Sequence, residues 1–380
     1  MRRDPTYHAA RVVAATVASH FARHRAAARQ HGAQALAPAP EAPVIEAIID
    51  AAFWASLRRE EGHAPKISLA FLPPALAGQP LLFERSLALT PSVLTKLGPA
   101  VERPGIHLGV WYAREALHVW GATRALPSIC FVLEVVEPGL LVIKHRRLEG
   151  VGKFANVAVL TGDQVQVVDA DGDHMPDCPA LLQAWRGVTS PASGQDTINV
   201  FVQLAASMRA HGRGGALLVV PDGTQAWRES MVHPIQYAVR PAFSELAELM
   251  RQDGRTQSRS LWQGALRQAI DGVAGLTAVD GATVISDQYE LLAFGAKIGR
   301  PEGRAPVEQV VVTEPIVGSR AVVVHPAQDG GTRHLSAAQF VHDQRDTLAL
   351  VASQDGRFTI FAWSPCEAMV HAHRVDTLLL

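Results

Sequence analysis

The sequence predicts a mixed protein of the α/β (α+β) class, in which a C-terminal mixed β-sheet is flanked by helices and an N-terminal helical segment precedes a β-rich domain. Three observations predict this class. Apolar residues recur at helical spacing near the N-terminus, short apolar runs broken by glycine and proline fill residues 67–169, and helical and strand-like patterns alternate from residue 196 onwards. With 380 residues the chain exceeds the size at which a single core stops growing, so we expect more than one domain.

The overall composition limits the possible classes of function. Hydrophobic residues make up 48% of the chain and charged residues 19%, which is ordinary for a folded protein and leaves little room for disorder. The formal net charge of -1 provides no global field that would attract a polyanion. We therefore expect no nucleic-acid partner, and any recognition of phosphate must depend on a few placed cations and backbone amides.

Cysteine usage and hydropathy bear on the compartment. The three cysteines are far apart and odd in number, which argues against a disulfide framework and fits a reducing cytoplasm. No run approaches the roughly 18 to 20 apolar residues that a bilayer requires, and the arginines at the N-terminus are not followed by the apolar core of a signal peptide. The sequence therefore predicts a cytoplasmic protein without a membrane span.

Residues 1–35 are predicted to form an amphipathic helix, whose basic face is more typical of a solvated surface than of a membrane or nucleic-acid contact. Residues 35–43 (ALAPAPEAP) contain three prolines and are predicted as an extended connector. A second helical pattern over residues 44–57 follows, with Phe53 and Trp54 predicted to be packed inside.

Residues 44–190 are predicted as a β-rich domain, because runs such as ISLAFL, HLGVWY and LLVIKH have the length and spacing of strands. Within it, the basic residues between Lys144 and Lys153 admit two interpretations, an anion-binding patch or a solvated strand edge, of which the second is favoured. Residues 191–252 are predicted as an α/β connecting segment that includes one buried strand, ALLVV.

The predicted C-terminal domain, residues 253–380, carries the most suggestive chemistry. A β-hairpin is predicted directly after Asp280-Gly281-Ala282, and a helix is predicted to begin near the turn Gly331-Thr332-Arg333-His334. A glycine-rich turn that opens a helix presents free backbone N–H groups to anions, and the three side chains that follow add hydroxyl, guanidinium and imidazole donors for phosphate oxygens. A carboxylate at Asp280 is suited to a divalent metal ion or a sugar hydroxyl.

The order of these features resembles the diadenylate cyclase domain, including that of the DNA-integrity scanning enzymes, over about the last third of the chain. The resemblance implies condensation of two ATP molecules into cyclic di-AMP with Mg²⁺ or Mn²⁺, by two protomers that meet face to face. It also implies that the region upstream is sensor-like. The site residues that it implies are Asp280 (catalytic and metal-binding), Arg333 and His334 (catalytic), and Gly281, Ala282, Gly331, Thr332 and Ser353 (ATP-binding).

Two features depart from the family pattern. Leu335 stands where the family has a second arginine, which removes a permanent cation from the triphosphate site. Residues 299–329 form a longer connection than is typical and contain strand-like runs of their own, so we expect an effect on the adenine side of the pocket.

Three functions stay open on this sequence. The first is a diadenylate cyclase in which Lys297 or Arg304 replaces the missing charge, and the second is a catalytically degenerate sensor that binds a nucleotide. The third, an assembly protein that keeps the domain only for packing, is disfavoured because both polar motifs are present.

Overall fold

The computed structural model describes residues 5–148, 154–169, 200–251 and 259–380. These residues form two compact units, the first containing the described residues up to 169 and the second those from 200 to 379. Each unit is built on one mixed β-sheet with helices packed against it, which confirms the predicted class. Among the residues that the structure describes, no helix combines the length and apolar character that a bilayer crossing requires.

The first unit has three helices, α1 His8–Gln30, α2 Ala42–Ser56 and α3 Pro91–Val101. Helix α1 forms because Val13, Val17 and Phe21 recur at helical spacing, and all three side chains are buried. Helix α3 begins where the Thr90 hydroxyl accepts a hydrogen bond from the Val93 N–H at 3.3 Å.

Eight strands form the first sheet, in the order β2-β4-β3-β1-β5-β6-β7-β8. Strands β1 and β3 are parallel, and the other neighbours are antiparallel. Their bounds are β1 Ile67–Phe71, β2 Leu81–Ala88, β3 His107–Ala113, β4 Ala116–Thr123, β5 Phe131–Glu137, β6 Leu140–Arg146, β7 Phe154–Thr161 and β8 Gln164–Val167.

Alternation along β6 separates its side chains between the two faces of the sheet. Leu141 and Ile143 join the core that α1 and α2 cover, and His145 continues the same face. On the opposite face Lys144 forms an ion pair with Glu134 at 2.5 Å, and the Arg146 guanidinium donates to the Leu126 carbonyl. The described basic residues of this segment are therefore divided between two faces of the sheet; Lys153 lies outside the described residues.

The two predicted N-terminal helices are present as α1 and α2, with the predicted connector between them. The connector is extended, and Ala37, which is fully buried, donates its N–H to the Ser128 carbonyl at 2.9 Å. The burial of Trp54 was wrong: its side chain is 40% exposed and its indole N–H donates to the Thr6 hydroxyl. Its neighbour Phe53 is half-buried and stacks on Tyr7, so only one of the two rings packs inside.

The second unit contains six helices among its described residues: α4 Val200–Ala210, α5 Glu245–Arg251, α6 Arg259–Leu276, α7 Pro326–Asp329, α8 Thr332–Asp343 and α9 Asp376–Leu379. Its nine strands are β9 Gly215–Val220, β10 Tyr237–Phe243, β11 Ala282–Ser286, β12 Leu291–Ala296, β13 Val310–Thr313, β14 Val322–Val324, β15 Leu348–Ala352, β16 Phe358–Ser364 and β17 Met369–Arg374. They form one sheet in the order β10-β12-β11-β9-β15-β16-β17-β13-β14.

The core of this unit lies around β9 and β15, at the centre of the sheet. Every residue of both strands is buried, because helices cover both faces of a central strand and leave no solvent-facing alternation. Helix α8 packs Ala337, Phe340 and Val341 against one face. The predicted hairpin after Asp280 is present as β11 and β12.

Residues 200–251, predicted as a connecting segment, belong to the second unit. They contribute α4, α5, the central strand β9 and the edge strand β10 to it. The predicted boundary at residue 253 therefore falls inside a compact unit, because β9, which precedes residue 253, pairs with β11 and β15, which follow it. The predicted boundary between residues 190 and 191 lies outside the described residues.

Candidate functional site

The register of the second sheet brings the two sequence motifs to one edge. Ala282, the first residue of β11, pairs with Ala216 near the start of the parallel strand β9, and Gly215 pairs with Ala352 at the end of the antiparallel strand β15. Since adjacent strands are about 4.8 Å apart, Ala282 and Ala352 are separated by roughly 10 Å. We call this edge, formed by residues 214–215, 280–282, 331–334 and 353, the amino-end edge.

Asp280 is the most accessible ionic group of this edge. Its side chain is 86% exposed, and its carboxylate lies 3.4 Å from the Nζ atom of Lys297, whose side chain is 66% exposed. An ion pair this open to solvent is weak and exchanges readily for another partner. Asp280 therefore has a carboxylate that an incoming cation can reach, and Lys297 adds a cation beside it.

Gly281 and Ala282 are fixed by the fold. Gly281 has φ +110°, and a Cβ atom at this position would lie 2.5 Å from the backbone carbon of Gly295 on β12. The hairpin itself thus requires a glycine at position 281, independently of any nucleotide. Ala282 is 1% exposed and its methyl group joins the core, so only its backbone is available to a ligand.

The turn before α8 opens the helix without a side-chain cap. Gly331 is the N-cap residue, and its carbonyl accepts from the N–H groups of His334 and Leu335. Gly331 and Thr332 are exposed. The amides at the start of a helix lie outside its own hydrogen-bond ladder and carry the positive end of its dipole, which suits them to an anion.

Arg333 extends from α8 towards the start of β9. A Cβ atom at Gly214 would lie 3.0 Å from the Arg333 Nη1 atom and 3.3 Å from the Ala352 carbonyl oxygen. Gly214 has φ +70° and leaves the space that the guanidinium uses. Sequence reasoning missed Gly214, although a glycine pair directly before a buried strand was a visible signal.

His334 lies inside the unit. It is 4% exposed, its Nε2 atom is 3.3 Å from the hydroxyl of Thr359 on β16, and its ring meets Phe361 edge to face at 5.9 Å. Gly330 packs over this ring, since a Cβ atom there would lie 2.4 Å from it. These contacts anchor the turn that carries Thr332 and Arg333, and sequence reasoning did not identify Thr359 as the partner.

Leu335 occupies the position of the family's second arginine and packs on the core. It is half-buried and contacts the hydrophobic cluster that contains Phe340 and Phe361. Of the two proposed replacements for the missing charge, Lys297 lies at the amino-end edge beside Asp280. Arg304 lines a cleft at the opposite end of the sheet, so it does not supply a cation to this edge.

Ser353 begins the turn that joins β15 to β16. Its N–H donates to the Arg357 carbonyl at 2.9 Å. Burial raises the pKa of Asp355, but hydrogen bonds from the Ser353 hydroxyl and the Arg357 N–H, with the charge of Arg357, outweigh burial and lower the pKa below its usual value. Ser353 is therefore at the predicted edge, with its hydroxyl engaged within its own turn.

The connection over residues 299–329 adds strands on one side of the sheet. Strand β13 pairs with β17, and β14 pairs with β13. In the sheet order, β16 and β17 therefore lie between these two added strands and the strands β9, β11 and β15 that carry the amino-end edge. The predicted effect of this connection on the adenine side of the pocket stays a prediction.

A cleft of about 380 Å³ lies at the opposite, carboxyl end of β9. Pro221, Trp227, Arg304 and residues 343–347 line it. Trp227 is 1% exposed, and its indole N–H has no hydrogen-bond partner among the residues that the structure describes. Sequence reasoning did not find this cleft, because its residues come from three distant segments.

Comparison with known proteins finds a match to one part of the chain. A family described as the probable sensor domain DACNV matches residues 34–124, and this sensor domain is associated with diadenylate cyclases. The match covers α2, α3 and strands β1 to β4 of the first unit. The search of curated proteins finds no match to the chain.

Proposed function

We propose that the chain is a diadenylate cyclase, in which the second unit binds ATP at the amino-end edge and the first unit acts as a sensor. The observation that carries the proposal is the strand register, which brings Asp280 and the start of α8 to one edge of one sheet. The match of residues 34–124 to a sensor domain associated with diadenylate cyclases supports it independently.

In this proposal the triphosphate lies against the start of α8. The Arg333 guanidinium, the Thr332 hydroxyl and the first-turn amides donate to its oxygens, while Gly331 allows the close approach of the phosphate to the backbone. Lys297 supplies the second cation that Leu335 does not, since it already lies beside Asp280 at 3.4 Å.

Asp280 fits a role with Mg²⁺ or Mn²⁺. These ions are typically held by one or two carboxylates together with substrate phosphates, and one exposed carboxylate at a phosphate site meets that requirement. When bound, the ion neutralises charge on the phosphates and lowers the pKa of the attacking hydroxyl. The Asp280 carboxylate, now 3.4 Å from the Lys297 ammonium, would hold the ion and orient the ribose 3′-hydroxyl.

The reaction requires two copies of the site. The 3′-oxygen of each ATP attacks the α-phosphorus of the other, the hydroxyl proton leaves, a phosphodiester bond forms, and the bond to pyrophosphate breaks. Two such steps give cyclic di-AMP and two pyrophosphates, so two protomers meet face to face with one ATP each. The protein contributes mainly alignment and charge stabilisation.

A second candidate function is a nucleotide-binding sensor that has lost turnover. Leu335 favours it, because the side chain packs on the core and provides no charge to the triphosphate. Both functions use the same ATP site and differ in whether product forms.

Incubation of the purified chain with ATP and Mn²⁺, followed by mass detection of cyclic di-AMP, separates the two. We expect product from the wild type and a loss of about 100-fold or more for Asp280→Asn, with ATP affinity within a few fold. The reason is that Asp280 acts through the ion and the attacking hydroxyl, and one positioned electrostatic contact to the transition state contributes roughly 100-fold to 1,000-fold. Asp346→Asn, an exposed carboxylate at the opposite end of the sheet, is the matched control. ATP binding without product supports the sensor function, and absence of both contradicts the two functions together.

A further inference from the structure

Three histidines of the first unit converge between α1 and β6. His20 and His24 are one helical turn apart on α1, so both project from the same side of the helix. His145 is on β6, on the face of the sheet that α1 covers. One nitrogen from each ring lies within 4.8 Å of the nitrogens of the other two, and His20 Nε2 is 3.0 Å from His145 Nδ1.

The spacing is close to that of a tetrahedral metal site. Zinc binds imidazole nitrogen at about 2.0 to 2.1 Å, which places pairs of ligand nitrogens about 3.3 Å apart. Modest rotations of three side chains would bring the nitrogens to this separation. His145 is 8% exposed, Phe21 meets its ring edge to face, and Phe131 is its cross-strand partner on β5, so one side of the cluster is apolar.

We propose that His20, His24 and His145 form a binding site for a divalent transition-metal ion of the zinc class. An all-imidazole set suits zinc, copper, iron or nickel, whereas Mg²⁺ and Ca²⁺ require oxygen ligands. The site uses none of the residues of the proposed ATP site, and it lies outside residues 34–124, the segment that matches the sensor domain.

Three protein ligands leave one coordination position for an exogenous group. Two arginines act on the described rings of the cluster: Arg23 on His20 and Arg147 on His145. A dication next to two guanidinium groups is stabilised by an anionic fourth ligand, such as hydroxide or a small carboxylate. The site is thus suited to report a metal ion together with a small anion.

Zinc titration of the full-length chain, after treatment with a chelator, tests the site. His24→Ala is the most informative variant, because it removes one ligand and leaves the contact between His20 and His145 in place. We expect one tightly bound zinc ion in the wild type and an affinity lower by about 100-fold in His24→Ala, since the loss of one of three ligands removes most of the chelate. His8→Ala, an exposed histidine on the same helix, should bind zinc as the wild type does.

Two further readouts distinguish a metal site from a folding defect. Thermal unfolding without metal shows whether His24→Ala folds, and zinc should raise the midpoint of the wild type and of His8→Ala but not of His24→Ala. Cobalt should give the visible absorption of tetrahedral coordination only when all three histidines are present. If His24→Ala folds and binds zinc or cobalt as the wild type does, the cluster is a buried hydrogen-bonded contact and the proposal is wrong.

Discussion

The amino-end edge of the second sheet and the histidine cluster of the first unit suit ligands in opposite ways. At the edge the ionic groups are exposed, and the Asp280 carboxylate is paired with Lys297 in open solvent. In the cluster His145 is buried and His20 and His24 are half-buried. Burial first, and then the neighbouring histidines and arginines, lower the pKa of His20 to about 2 and that of His145 to about 3. The edge presents charges, whereas the cluster presents neutral lone pairs.

Because of this difference, the edge would bind its ligand by attraction between charges, and the cluster would bind its ligand by metal coordination. Exposed charges are screened by salt, with a Debye length of about 10 Å at 0.1 M, whereas direct coordination by neutral nitrogens is much less sensitive to ionic strength. We therefore expect ATP affinity to fall as salt is raised and zinc affinity to change little.

The largest effect is expected for Gly281→Ala, which should destabilise the second unit. The residue has φ +110°, and the new Cβ would lie 2.5 Å from the Gly295 backbone. Backbone strain and overpacking each cost about 1 to 3 kcal/mol, so a loss of roughly 3 kcal/mol in the free energy of unfolding is expected. Urea denaturation measures this loss.

Gly264→Ala is the control for that substitution. It lies within α6, where a Cβ atom would meet no atom within 4 Å, and alanine should stabilise the helix by about 0.5 to 1 kcal/mol. A Gly281→Ala protein that is as stable as the wild type but loses ATP binding would show that Gly281 serves the nucleotide instead of the hairpin.

The elements around these glycines show which parts of the fold the sequence predicts. Periodicity predicts β9, the hairpin of β11 and β12, and α8, because each is specified by its own residues. The pairing of Ala282 with Ala216 and of Gly215 with Ala352 depends on contacts between residues far apart in the chain, so the sequence could place the motifs in order but not establish their register.

The same limit explains what sequence reasoning missed. The motif predicts the imidazole of His334 as a phosphate ligand, whereas in the structure its ring is 3.3 Å from the hydroxyl of Thr359, on a later strand. His20 and His24 have the spacing of metal ligands on a helix, but His145, the third member, is on β6, 121 residues beyond His24. Neither the contact of His334 with Thr359 nor that of His145 with the two helical histidines can be seen in a local sequence pattern.

His334→Ala is expected to have the next largest effect, on stability more than on binding. The substitution leaves a cavity between Gly330 and Phe361 and removes the contact with Thr359, at a cost of about 2 to 3 kcal/mol in the free energy of unfolding. Thermal unfolding and ATP titration of the same sample measure both quantities.

Thr359→Val provides the partner experiment. It keeps the volume of the side chain and removes the hydroxyl, so it should reproduce only the hydrogen-bond part of the loss, about 1 kcal/mol. Should His334→Ala be fully stable and deficient only in ATP binding, the imidazole contacts the phosphates and its burial is not what fixes the turn.

Arg333→Ala should weaken ATP binding by roughly tenfold to a hundredfold, since a charge-assisted hydrogen bond contributes about 1.5 to 3 kcal/mol. Its effect should diminish at high salt, in contrast to that of His24→Ala on zinc. Arg304→Ala, an exposed arginine at the opposite end of the sheet, should leave ATP affinity unchanged. Isothermal titration measures both, and equal losses for the two variants would contradict the assignment of the triphosphate to the start of α8.

The smallest effect is expected for Leu335→Arg, which restores the cation of the family pattern. Leu335 is half-buried against the core cluster, so an arginine must give up that packing to reach the triphosphate, and Lys297 already provides a cation at the edge. We therefore expect ATP affinity and cyclic di-AMP yield to stay within a few fold of the wild type, or to fall. The two quantities are measured at low and high salt, because a restored phosphate contact would steepen the salt dependence. A silent wild type and an active, salt-sensitive Leu335→Arg variant would instead identify the chain as a nucleotide sensor that lost turnover with that one charge.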